Sequence, residues 1–477
     1  MTVAPTGLVR AGTRQGRWVL LATIAGSGLA QLDGTVVNVA LAAIGRDLDA
    51  GFTALQWVVN AYTLTLAALI LLGGVLGDLY GRRRVFLVGV VWFAVASALC
   101  ALAPGEEVLI AARALQGVGG ALLTPGSLAI ISASFVPQDR ARAVGAWSGL
   151  GGIAGAVGPF LGGWLVGLDW RWVFLVNLPV AALIVVVTLR HVPESRDEEV
   201  VAGTGHVDLP GTVLVVLALG GLTYALTEAG RSGWHPVLVG AGLLGLVAGA
   251  AFVVVERRAA QPLVRLDMFT DRVFAATNLV TVFVYAALAV YFFLIVLQLQ
   301  VVSGWGPLAA GTAVLPVTAC MLLLSARAGA AAQRHGPRTL MTLGCLLAGA
   351  GFVAALRIGP GADFLTDVLP SVLLLGLGLS CAVAPLTAAV LAAVLAAAPD
   401  HLAGAASGIN NATARSAGLL AIAVVPAVAG LGGAGVDDAA ALGRGFVVAM
   451  LIGAGLLAVG AVVSWAGLGR AGRHLLA

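Results

Sequence analysis

Asp33 is the one carboxylate set deep inside an apolar run of this sequence; the other Asp and Glu residues lie in loops or at run ends. Its run reads GLAQLDGTVVNVALAAIG. Facing lipid, a carboxylate there would be costly, so it must point into a helix bundle. Removal from water disfavours the charged form, which suits the group to take up and release a proton. The plainer alternative is a structural Asp held by backbone or hydroxyl donors. A second charge, Arg113, lies within LIAARALQGVGGALLTPG. Gln116, Gly117 and Gly120 follow it at helical spacing and share its face. Such an Arg either snorkels to the membrane surface or faces a central cavity.

Other polar residues inside apolar runs are candidate cavity-lining positions. Gln56, Asn60 and Thr63 make one polar face, and Asn411 and Arg415 stand one turn apart. Asn38, Asn278, Tyr285 and Gln298 complete the set with Asp33, Arg113 and Gln116.

Two further patterns concern movement. In GGVLGDLYGRRR, Gly77 and Gly81 permit a tight reversal, Asp78 can meet an Arg or a helix N-terminus, and Arg82, Arg83 and Arg84 suit an anionic leaflet. In GLGGIAGAVGPFLGGWLVG, Gly151, Gly155, Gly158 and Gly162 form one stripe of a helix, and Pro159 adds a weak point by removing a backbone hydrogen bond. Such a seam lets helices pack closely and rock.

The elements that must hold these residues follow from composition. Of 477 residues, 60% are hydrophobic and 10% charged, with mean hydropathy +1.03. About a quarter of a soluble domain is charged, so that class is excluded, and the apolar content excludes disorder. The apolar runs are too long and unbroken for barrel strands. Fourteen of them, from 17–42 to 444–468, match helical spans of about 20 residues.

An even number puts both termini on one side. If that side is the cytoplasm, nineteen arginines fall in inner segments and five in outer loops, as the positive-inside rule requires. All 26 basic residues are Arg, which fits a GC-rich bacterium and its inner membrane. Cys100, Cys320, Cys345 and Cys381 lie in apolar runs without CxxC spacing, so no metal or disulfide framework is indicated.

The polar segments 191–208 and 256–272 flank two spans. The chain therefore divides into a six-helix bundle at 1–190, a linker and two-helix insert at 191–272, and a second six-helix bundle at 273–477. A degenerate repeat supports this: Gly74 to Gly81 recurs as Gly329 to Gly336, each with Arg two residues further on. Paired six-helix halves are a transporter layout.

No GxxxxGK[ST] loop points to ATP drive, and no GxSxG, HExxH or hydrophilic catalytic pair points to an enzyme. No cofactor, metal or nucleic-acid partner is expected.

The loop Gly74, Asp78, Gly81, Arg82, Arg83 resembles the inter-helix motif of the major facilitator superfamily. The fifth-run glycines resemble its antiporter motif, and Arg-x-x-Gln-Gly its fourth-helix motif. LDGTVVNVAL resembles the first-helix motif of its 14-helix drug:proton antiporter branch, with Ala42 where that motif ends in Pro. Weaker matches, including QWVVNAYTL, WRWVFLVNLPV and AGAASGINNATARSAG, follow in family order.

The resemblance implies an all-α fold of two six-helix bundles plus two helices, and a loop that braces the halves. It links Arg113 to proton coupling, the task to which its burial suits Asp33. The expected function is proton-driven export of lipophilic small molecules, with the deep carboxylate offered to a cation. The alternatives are a dedicated exporter of one metabolite, antibiotic or lipid, and a regulator that binds without transporting. The expected partners are substrate, protons and membrane lipids, and the expected unit is a monomer.

Overall fold

A computed structural model describes residues 8–196, 208–259, 262–397 and 402–468. Fourteen helices follow one another: α1 (Arg14–Asp47), α2 (Phe52–Tyr80), α3 (Arg82–Ala101), α4 (Glu106–Ser134) and α5 (Pro137–Val166). Next come α6 (Trp172–Leu175, then Asn177–His191), α7 (Leu209–Ser232), α8 (Pro236–Glu256) and α9 (Arg272–Leu297). The chain ends with α10 (Pro307–Ala313, then Leu315–His335), α11 (Pro337–Ala355), α12 (Leu369–Ala397), α13 (Leu402–Val428) and α14 (Ala439–Gly467). Thirteen have the length and apolarity to cross a membrane; α5 is the other, with Val157–Val166 as its described apolar part.

Side-chain oxygens set several starts by accepting from otherwise unpaired first-turn N–H groups. Thr13 caps α1, Asp208 α7, Asp271 α9 and Asp438 α14. The outer surface is apolar, as lipid requires: on α3 alone Val88, Val91, Trp92, Val95 and Leu99 are exposed.

The two halves repeat in detail. Gly81 (φ +110°) and Gly336 (φ +83°) both adopt left-handed backbone at the turn into the next helix. Eight residues beyond each lies a glycine in close helix packing. A Cβ on Gly89 of α3 would stand 3.1 Å from the Gly119 oxygen of α4; one on Gly344 of α11 would stand 2.6 Å from the Gly378 oxygen of α12. The repeat visible in the loop thus extends into the packing of α3–α4 and α11–α12.

We call the end of the bundle with Thr13 the terminal face and the end with Asp47 the far face. Toward the far face, a group of hydrogen bonds joins the two halves. Phe52 N donates to the Ala434 oxygen, Thr53 Oγ1 to the Gly432 oxygen and Gln56 Nε2 to the Ile422 oxygen. Gln300 Nε2 donates to the Val39 oxygen, and Arg46 pairs with Asp437. The far face is the sealed one.

The insert helices α7 and α8 pack on each other, with Gly221 against Gly245. α7 also lies against α2 and α13, one helix from each half. At its far end Glu228 accepts from Trp57 Nε1 at 2.8 Å and pairs with Arg231 at 2.9 Å.

Candidate functional site

Asp33 and Arg113 meet. Arg113 Nη1 is 2.5 Å from Asp33 Oδ2, and the side chains are 0% and 1% exposed. α1 packs on α4, and α2 packs along α4. Gln116, one turn after Arg113, donates to Asp33 Oδ1 at 2.7 Å and accepts from Arg113 at 2.6 Å. Asn177 of α6 donates to the same Oδ1 at 2.9 Å, and Ser97 of α3 accepts from both amides. Arg113 Nε donates to the Val58 oxygen at 3.1 Å. Its guanidinium stacks 4.3 Å from the Tyr62 ring centre, and the Tyr62 hydroxyl donates to the Ala30 oxygen.

A charge pair out of water must be compensated by good geometry and further hydrogen bonds, and this one is. Arg113 does not snorkel, and it does not face a central cavity as expected. The pair is enclosed within the first half, among α1, α2, α3, α4 and α6. Burial also means that Asp33 offers no open anion to a cation here: Arg113, Gln116 and Asn177 already occupy its oxygens. Asn177 and Ser97 are members that sequence reasoning missed. Asn177 stands inside the quoted WRWVFLVNLPV, where it looks like a helix-boundary residue; Ser97 is a lone hydroxyl in an apolar run and gives no signal.

The remaining candidates are spread over both halves. Gln56 and Asn60 are buried on the α2 face turned to α13, where Gln56 Nε2 bonds Ile422 while Gln56 Oε1 and both Asn60 amide atoms have no partner. Thr63 Oγ1 is turned back to the Val59 oxygen. In the second half, Asn411 Oδ1 accepts from Arg415 Nε at 2.8 Å. Asn278 of α9 is bound by Asn410 of α13, which also donates to Thr281; Asn410 was not singled out. Tyr285 is half-buried on α9. Asn38 is half-buried with an unpartnered Oδ1. Gln298 is a correction to the cavity set: its amide donates to the Ile358 oxygen in the α11–α12 connection at the far face, away from mid-span.

The glycine stripe of α5 packs against α1. A Cβ on Gly151 would stand 3.2 Å from Gln31 Nε2, one on Gly158 would collide with Thr35 Oγ1, and one on Gly162 would stand 3.1 Å from the Val36 oxygen. Gly155 is looser, 3.9 Å from Gln31. Pro159 and Gly163 sit on the other side, against Gly311 and Leu308 of α10. The seam therefore touches α1 within its half and α10 across the halves.

In the motif loop Asp78 pairs with Arg82 at 2.7 Å. Gly74 lies 3.7 Å, by its missing Cβ, from Pro125 of α4. The Arg83 side chain donates to the Leu189 oxygen of α6, and its backbone N–H donates to Glu194 Oε1 at 3.0 Å. The segment after α6 also accepts from Arg82 N through the Ser195 oxygen. Where the resemblance implied a brace between the halves, these contacts join the loop to α6 and the start of the linker. No cluster of metal-ligating side chains occurs among the described residues.

The model of the Major Facilitator Superfamily matches residues 23–423. The chain is 38% identical to the puromycin resistance protein of Streptomyces alboniger over 86% of its own length and 81% of the relative's. It is 36% identical to multidrug resistance protein Stp of Mycobacterium tuberculosis, covering 86% and 75%. It is 33% identical to the tetracenomycin C resistance and export protein of Streptomyces glaucescens, covering 88% and 78%. Two solved structures share the fold. One is an inward-facing bacterial homologue of the human lysosomal transporter Spinster (TM-score 0.67, 17% identity, 97% and 99% covered). The other is a D-xylose–proton symporter (TM-score 0.66, 15% identity, 95% and 98% covered). By the extent of the family match and of these identities, the chain is a multi-pass membrane protein that belongs to the major facilitator superfamily.

Proposed function

We propose that the protein is a proton-coupled antiporter that exports lipophilic small molecules from a bacterial cell. The observation that carries this reading is the Asp33–Arg113 pair, a carboxylate wholly enclosed at mid-span and held by groups from α4 and α6. Protonation of Asp33 would release Arg113, Gln116 and Asn177 together and so favour a different arrangement of α1, α4 and α6. A proton drives a switch only by differing affinity for two states, and a carboxylate whose partners change between states supplies that difference. The relatives named for resistance to puromycin and for export of tetracenomycin C support the cargo class.

In this reading the terminal face is cytoplasmic, in line with the arginine distribution, and the sealed far face is external. The α5 seam is the surface on which α1 and α10 slide. The motif loop and the linker start clasp the inner end of the first half. Reconstituted vesicles with an imposed pH gradient test the reading: uphill movement of puromycin or tetracenomycin C supports it, and absence of gradient-driven flux for both sinks it.

A further inference from the structure

Arg415 is the one mid-span charge that the proton site does not absorb. It lies on α13, half-buried. The antiparallel register of α2 and α13, fixed by Gln56 against Ile422 and by Leu71 against Gly408, sets it level with Thr63. That is near the height of the Asp33–Arg113 pair, since Arg113 stacks on the ring of Tyr62, the residue before Thr63. α2 of the first half lies on one side of Arg415 and α9 of the second on the other, where a Cβ on Gly418, one turn on, would stand 3.8 Å from the Tyr285 oxygen. It therefore faces the space between the halves and not lipid.

The charge is uncompensated. Among the described residues no carboxylate lies within ion-pair distance of Arg415, and Asp33 is already paired with Arg113. A membrane Arg without a partner is costly, and such residues mark substrate or ion pathways. Its geometry is that of a held fork. Asn411 accepts from Nε and fixes the plane, while the two terminal nitrogens make no hydrogen bond to a described residue. That end of a guanidinium matches the two oxygens of a carboxylate. Asn60, one turn above on the α2 face turned to α13, is 0% exposed with both amide atoms unpartnered.

We propose that Arg415 is the recognition point for an anionic group, a carboxylate or ionised phenol, on an otherwise lipophilic substrate. This deepens the transport reading and rests on it. Tyr285, half-buried on α9, flanks the apolar body of the ligand.

Binding to purified protein tests this with three probes on one ring system: anthracene carboxylate, anthracene methanol and anthracene methylamine. A charge-assisted pair predicts that the carboxylate binds wild-type protein about tenfold or more tighter than the alcohol, and the amine weakest. Arg415→Gln should remove that preference while leaving alcohol binding within about twofold, which also shows that the variant is folded. Arg415→Lys should keep part of the preference. Equal binding of carboxylate and alcohol, a preference that survives Arg415→Gln, or no binding of any probe overturns the proposal. The measurement uses no gradient, so intact anion-selective binding without gradient-driven flux would reject export and leave the subsite standing.

Discussion

Asp33 and Arg113 face each other across α1 and α4 at 2.5 Å, both shut off from solvent. Removing one partner of such a pair strands the other charge in a dry interior. Asp33→Asn should therefore destabilise the protein by about 3–5 kcal/mol. Asp33→Asn combined with Arg113→Gln should recover most of that loss while remaining inactive in gradient-driven export. Thermal unfolding of the three proteins checks this. A single variant as stable as wild type would mean that the pair is not the buried unit described.

The two central glycines of the α5 seam should differ. Gly158→Ala puts a methyl group into Thr35 and should cut turnover severely, whereas Gly155→Ala has room and should stay within about twofold of wild type. Transport rates normalised to folded protein decide the matter. Equal tolerance at both sites would make the seam inert packing.

The turn glycines of the two halves also separate. Gly81→Ala meets both a left-handed φ and the Glu194 carboxylate 2.8 Å away, while Gly336→Ala meets the φ alone with nothing within 4 Å. The left-handed backbone costs a non-glycine residue about 1–2 kcal/mol at each site. Gly81→Ala should lose more stability than Gly336→Ala, and Gly81→Ala with Glu194→Ala should narrow the gap. Unfolding midpoints read this directly.

We place the insert at the periphery, beside the junction of the halves. Val216 of α7 and Leu246 of α8 are 39% and 60% exposed, on the apolar outer surface. Cysteines at these positions should react with lipid-phase reagents at rates unchanged by substrate. Protection of either by substrate would bring the insert into the cavity.

Much of the fold was legible because lipid forces it: fourteen apolar runs became fourteen helices, and the repeat at Gly81 and Gly336 became the same turn twice. Within the site, Asp33, Arg113 and Gln116 announced themselves because charge and amide groups in apolar runs must find partners. Asn177 and Ser97 did not, since an Asn at a helix break and a lone Ser each have a local backbone explanation that only tertiary contact overrides. Gln298 shows the converse: a polar side chain in a span can serve a neighbouring loop carbonyl. The enclosure of the pair within one half was also hidden, because helix periodicity gives a face but not which neighbour covers it.

The most direct test of the account is uphill export by vesicles holding wild-type or Asp33→Asn protein, oriented alike, with puromycin or tetracenomycin C as cargo. Wild-type vesicles should accumulate cargo above the level in protein-free vesicles when a pH gradient is imposed. That accumulation should collapse when the gradient is dissipated, and Asp33→Asn vesicles should show none at any gradient. Equal uphill export by the two proteins would contradict the account, because the proton would then be carried somewhere other than Asp33.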